Sequence, residues 1–255
     1  MATVQAVLGS AAQQKGKDDR PALLAKILRT DTSTTIRTTA AWGLREFAGA
    51  PVAAEALAYA VGHDKEACVR EMAAWALGDG DEQSAVAIAA LGSALRSDKS
   101  ASVRQIAAWS LGRIGGHEAV PVLTTALSDQ SPEVRQRAAW ALGNTEPREA
   151  PRELVNMLRD KDPHVRELAA WALFRIEDPA TVPAIEAALK VETDKEVQIA
   201  DIRALASLGE KSVDAIKGLI ESPDPRIRNM AVRALAGGHA AGPWPWPWPE
   251  PRPYP

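Results

Sequence analysis

Cysteine is nearly missing from this chain: among 255 residues there is one, Cys68. A lone thiol excludes an internal disulfide framework and a multi-thiolate metal site. The four histidines, His63, His117, His164 and His239, never stand at ligand spacing from one another, so no metal is expected. An excess of either charge is missing too, with 30 Lys plus Arg against 33 Asp plus Glu and a formal net charge of −3. A nucleic-acid coat needs a basic excess, which makes nucleic acid an unexpected partner. No apolar run reaches the ~18 residues of a membrane span. The opening MATVQAVLGSAAQQ lacks the basic start of a secretory signal, which leaves the cytoplasm as the default compartment. Phenylalanine and tyrosine number two each against eight tryptophans, so the aromatic character of the chain depends on where the tryptophans stand.

Five of them mark a repeat. TIRTTAAWGL, CVREMAAWAL, SVRQIAAWSL, EVRQRAAWAL and HVRELAAWAL share one frame, which places Trp42, Trp75, Trp109, Trp140 and Trp171 at intervals of 33, 34, 31 and 31 residues. EVQIADIRAL and RIRNMAVRAL continue the frame with Arg203 and Arg233 in the Trp position. Repetition at this period is the signature of a stacked array. Counting the Val or Ile before the Arg as zero, position minus three holds Ser33, Glu66, Ser100, Ser131, Asp162, Asp194 and Asp224. Six of the seven are good helix N-caps. Pro132, Pro163 and Pro225 follow at the first helical position, where a missing N–H costs nothing. Gly78, Gly112, Gly143 and Gly209 are expected to end these helices. The stretches between them, such as VPVLTTAL and VPAIEAAL, also have helical apolar spacing. Seven helix pairs, none able to bury its apolar face alone, predict an all-α fold, an α-solenoid.

The motif VR-x-x-A-A-x-A-L-G after an Asp-rich turn resembles the HEAT-repeat family, in the variant called phycobilisome-lyase HEAT-like, over about residues 21–238. The Trp within AAWAL more narrowly resembles HEAT regions of bacterial membrane metallopeptidases of the BlaR/MecR type, although no HExxH motif is present. The resemblance implies a protein-binding scaffold whose second helices line a concave surface. It also implies that the repeated Arg at plus one (Arg37, Arg70, Arg104, Arg135, Arg166 and Arg228, with Gln198 the exception) and the acid at minus five (Asp31, Asp64, Asp98, Asp129, Asp160 and Glu192, with Ser222 in the seventh unit) form a structural ladder. Repetition argues against catalysis, which needs a unique site, so neither an enzyme nor a cofactor is expected.

At ~100° per residue the core side of the second helix lies near ~40° and the Trp position near ~240°. The expectation is therefore an outward row of tryptophans forming a ligand-binding groove, whose removal leaves the fold intact and weakens binding. The alternative is that each ring lies flat on a neighbouring unit. Arg203 and Arg233 extend the row, and Arg137, Asn144 and Arg175 flank it. Trp140 with Asn144 resembles the Trp/Asn ladders of armadillo transport receptors, which hold extended peptides. Glu46, Glu71 and Asp79 at one end, against Arg113, Arg137, Arg175, Arg203 and Arg233 with the single acid Glu167 at the other, predict a groove grading from acidic to basic.

The ends differ in composition. Residues 1–20 read as a helix and linker, 21–238 as the solenoid, and 239–255 as a Gly hinge with a tail, PWPWPWPEPRPYP. Alternating proline favours polyproline II, about 40 Å long over the tail's 13 residues. Trp244, Trp246, Trp248 and Tyr254 make it a ligand for a Trp-lined groove, its own or a neighbour's, and so a route to a tail-mediated homo-oligomer. With Glu250 cancelling Arg252, only weak membrane contact is expected of it. The expected function is a non-enzymatic scaffold for a protein or extended, Pro-rich peptide. The alternatives are a regulatory or sensor domain of a membrane metallopeptidase, which would place it outside the cytoplasm, and a lyase subunit or alkylated-DNA glycosylase.

Overall fold

A computed structural model describes residues 18–80 and 84–236. The expected N-terminal helix and the Pro/Trp tail lie outside the described residues. Within them the chain forms seven helix pairs and no strand. The first helices are α1 (Arg20–Thr30), α3 (Pro51–His63), α5 (Ala85–Ser97), α7 (Val120–Ala126), α9 (Arg152–Asn156), α11 (Val182–Leu189) and α13 (Val213–Lys217). The second helices are α2 (Thr34–Leu44), α4 (Ala67–Leu77), α6 (Ala101–Ile114), α8 (Pro132–Thr145), α10 (Pro163–Ile176), α12 (Lys195–Ser207) and α14 (Pro225–Leu235). Each second helix packs on its own first helix and on the second helix of each adjacent described unit. The result is an all-α solenoid with one continuous core of Leu, Val and Ala.

Local chemistry starts each second helix. The side chains of Ser33, Ser100, Asp162, Asp194 and Asp224 accept first-turn N–H groups. Glu66 makes no such bond, and Ser131 turns its hydroxyl to Glu133 instead. Only some of the glycines end helices. Gly78 is the C-cap of α4, and Gly209 follows α12 with φ +61°. Gly112 and Gly143 lie inside α6 and α8. Their reason is close approach: a β-carbon on Gly112 would fall 2.7 Å from Ala141 Cβ and 2.8 Å from Ala141 Cα. Helix propensity alone makes Gly→Ala worth about 1 kcal/mol of stability. Here the expected sign is reversed, because the α8 backbone must move. Gly112→Ala should lower stability by about 1–3 kcal/mol, as overpacking does. A raised urea midpoint would show that the two helices are not held in contact.

Candidate functional site

One edge of the stack is a ladder. Arg37 Nε and Nη2 donate to Asp64 at 2.7 and 3.0 Å, while Nη1 donates to the carbonyls of Asp31 and Thr32. The same fork joins Arg70 to Asp98, Arg104 to Asp129, Arg135 to Asp160 and Arg166 to Glu192. Each acceptor also takes a backbone N–H two residues on, at Glu66, Ser100, Ser131, Asp162 and Asp194. Burial alone would raise these acids, but the arginine and backbone hydrogen bonds outweigh it and hold all five below their ordinary values. Gln198 keeps only the bond to the Glu192 carbonyl. The ladder ties the first six units in series, and its five bridged acids are committed to those contacts.

The tryptophans do not form an open stripe. Trp75 and Trp109 are 6% and 4% exposed, Trp140 and Trp171 are half-buried, and Trp42 alone stands open at 47%. The rings reach back to the preceding second helix: Trp140 Cζ3 lies 3.0 Å, and Trp171 Cζ3 2.5 Å, from where a β-carbon would stand on Gly112 and Gly143. Arginines cover the other faces, Arg45 over Trp75, Arg113 over Trp109 and Arg137 over Trp140, at 5.3–5.9 Å. The single-helix angle misled because a second helix in a solenoid is buried on three sides, and the Trp position faces the preceding unit. Trp42 has no preceding unit among the described residues, so its ring stays open.

The charges flanking the row are largely paired, which evens the expected grading from acidic to basic. Asp79 sits between Arg45 at 3.4 Å and Arg113 at 3.0 Å. Glu46 pairs with Arg45, and Glu146 with Arg175. Arg137 is buried beneath this surface, which pushes its guanidinium down to about 10. Asn144 is half-exposed four residues after Trp140, and Arg233 is exposed at the end of the row.

Where Trp gives way to Arg203, the surface opens. A cavity of about 250 Å³ has Ile199, Ala200 and Met230 as its apolar lining. Glu167, Glu196, Arg203 and Arg226 supply its charges, Arg226 holding Glu196 at 2.6 Å. Desolvation pulls Arg203 below its usual value, against the charges of Glu167 and Glu196. Ala200 makes the depression, since earlier units carry Met72, Ile106, Arg137 and Leu168 at this frame position. Sequence reasoning named Arg203 but missed the cavity; its signal was the small residue at 200. It also missed Asp201, which replaces the alanine of the other units at plus four. Asp201 is buried with neither carboxylate oxygen hydrogen-bonded among the described residues. Burial, reinforced by the charge of Glu192, raises it well above the usual carboxylate range.

Among the described residues no helix is long and apolar enough to cross a membrane, and no group of three His, Cys, Asp or Glu could hold a metal. Known proteins share this architecture. The Escherichia coli protein YibA matches at 22% identity and a TM-score of 0.60, over 88% of this chain and 84% of its own. The CpcE–CpcF complex of phycocyanin lyase from Nostoc sp. PCC7120 matches at 21% and 0.53, over 88% and 96%. A designed armadillo repeat protein, solved in complex with the peptide (KR)4, matches at 19% and 0.51, over 86% and 99%. No curated protein matches the chain. None of this supports the narrower likeness to membrane metallopeptidases. The family model for HEAT repeats matches residues 69–130, 88–154, 120–206 and 185–239, more than half of the sequence. The chain belongs to the HEAT-repeat family.

Proposed function

We propose that this solenoid is a non-enzymatic scaffold that holds an extended segment of a protein partner along the second-helix face, from Trp140 to the cavity beside Arg203. Small residues at the second-helix contacts let those helices approach closely, and the family resemblance implies that this face is the inner one of the stack. The carrying observation is the cavity itself, an apolar depression with charged groups around it in line with the half-open rings of Trp140 and Trp171. It suits one anchoring side chain, while Asn144, Arg175 and Arg203 are placed to meet the backbone and charges of an extended chain. The armadillo neighbour solved with a peptide lends the reading support by analogy of fold. The buried Trp75 and Trp109 act here as wall. The Pro/Trp segment 243–255 is one candidate occupant, and it supplies a probe of known sequence.

A displayed library of extended peptides, with the synthetic 243–255 peptide alongside, tests this. Binders selected on the intact chain are expected to lose about 2 kcal/mol or more with Ala200→Trp, which fills the cavity, as central contacts do. Binders indifferent to both Ala200→Trp and Arg175→Glu would move the site elsewhere and sink the proposal.

A further inference from the structure

The two ends of the described solenoid are the two halves of one internal junction. At every internal boundary, residues at plus five and plus eight of the second helix are buried: Ala41, Ala74, Ala108, Ala139, Ala170 and Ile202, with Leu44, Leu77, Leu111, Leu142, Leu173 and Leu205, are at most 2% exposed. In the seventh unit the same positions are Val232 and Leu235, exposed at 56% and 37%. After a gap between the sixth and seventh units, where Gln198 and Ser222 replace the pair, the ladder arginine returns half-made. Arg228 Nη1 donates to the carbonyls of Ser222 and Pro223 at 2.7 and 3.0 Å, as the other ladder arginines do to their own turns. Its Nε and Nη2, which elsewhere grip the next unit's acid, have no acceptor among the described residues.

The first unit carries what is missing. Asp31 is held like every ladder acid, accepting the Ser33 N–H at 2.8 Å. Yet among the described residues no arginine reaches its carboxylate. Trp42, whose counterparts lean on the unit before, is open. Leu23 and Ile27 of α1 are 60% and 36% exposed. At ~100° per residue they lie opposite the side of α1 where Arg29 stands over Tyr59 of the next unit. They therefore point out of the end of the stack.

From this we infer that the solenoid associates head to tail with a second copy of itself, Arg228 of one copy gripping Asp31 of the next. Val232 and Leu235 then cover Leu23 and Ile27, and Trp42 finds the place its counterparts occupy. The two faces match in sign, in apolar content and in ladder register, which a chance pair of surfaces does not. A contact of this kind is heterologous, so it builds a ring or an open series rather than a closed two-fold dimer.

The experiment is analytical ultracentrifugation of the full chain over a concentration series, with circular dichroism confirming that each variant is folded. Wild type is expected to associate reversibly. Arg228→Asp and Asp31→Arg should each weaken association roughly tenfold or more, as breaking a desolvated charge pair does. Asp31→Asn should do the same while preserving the turn, because its amide oxygen still accepts from Ser33. Mixing Arg228→Asp with Asp31→Arg lets the two variants alternate, with one junction of reversed sign and the next of native sign, so the mixture should associate again where neither variant does alone. A wild-type chain that stays monomeric at every concentration overturns the inference. So does association that survives either charge reversal, a mixture that fails to recover, or association lost only on deleting residues 243–255, which would make the tail the strap.

Discussion

Trp109→Ala should lower the stability of the solenoid by about 3–5 kcal/mol, the range for truncating a buried aromatic side chain. At 4% exposed, the ring is part of the continuous core, with the Arg113 guanidinium 5.4 Å from its centroid. Its removal leaves a void between α4, α6 and their neighbours, and packed helices relax only partly into such a space. Trp42→Ala is the internal comparison. The same residue type in the same frame position is 47% exposed, and its loss should move stability by less than about 1 kcal/mol. Urea unfolding of the two variants, compared at equal m-value, measures the contrast. Equal midpoint shifts would mean that the rings of the two units occupy equivalent places, against the burial described above.

The repeat was legible because stacking demands the same residue at the same place in every unit. The frame gave seven helix pairs, the capping residues and the members of the ladder, all consequences of local geometry repeated. What the sequence hid was the direction of neighbours. A helical angle locates a core side, but it cannot say that the Trp position of one unit faces the second helix of the unit before, where Gly112 and Gly143 make room. Those glycines read as helix ends for the same reason: a close approach by a residue some 30 positions away leaves no local trace. The cavity beside Arg203 was written in Ala200 and the unbonded buried acid in Asp201, two departures from the frame, and departures are harder to weigh than repetitions. Trp42 shows the converse. It is the most exposed of the row only because the described array begins there, a fact about position in the stack rather than about the residue.

Arg135→Ala should have a comparable effect, about 3–5 kcal/mol at neutral pH, because it strips one partner from a pair whose side chains are 7% and 14% exposed. The variant loses both bonds to Asp160, at 2.9 Å each, and those to the carbonyls of Asp129 and Gln130. Asp160 would keep its bond from the Asp162 N–H, so its charge stays poorly compensated rather than bare. Acid adds a second readout with a definite sign. Asp160 is held below its ordinary value in the fold, so its contribution is complete above the unfolded value of about 3.9 and fades as pH falls through the folded one. The gap between wild type and Arg135→Ala should therefore narrow below about pH 4. Asp201 acts in the opposite sense. Its folded value is raised, so its contribution is complete below about 3.9 and is lost as pH rises toward the folded value. Measuring both chains in an Asp201→Ala background, which restores the alanine of the other units, removes that counter-slope and leaves the ladder's own. A gap that keeps its full size from pH 7 to pH 3 would show that Arg135 contributes through packing alone and that its ion pair with Asp160 adds nothing.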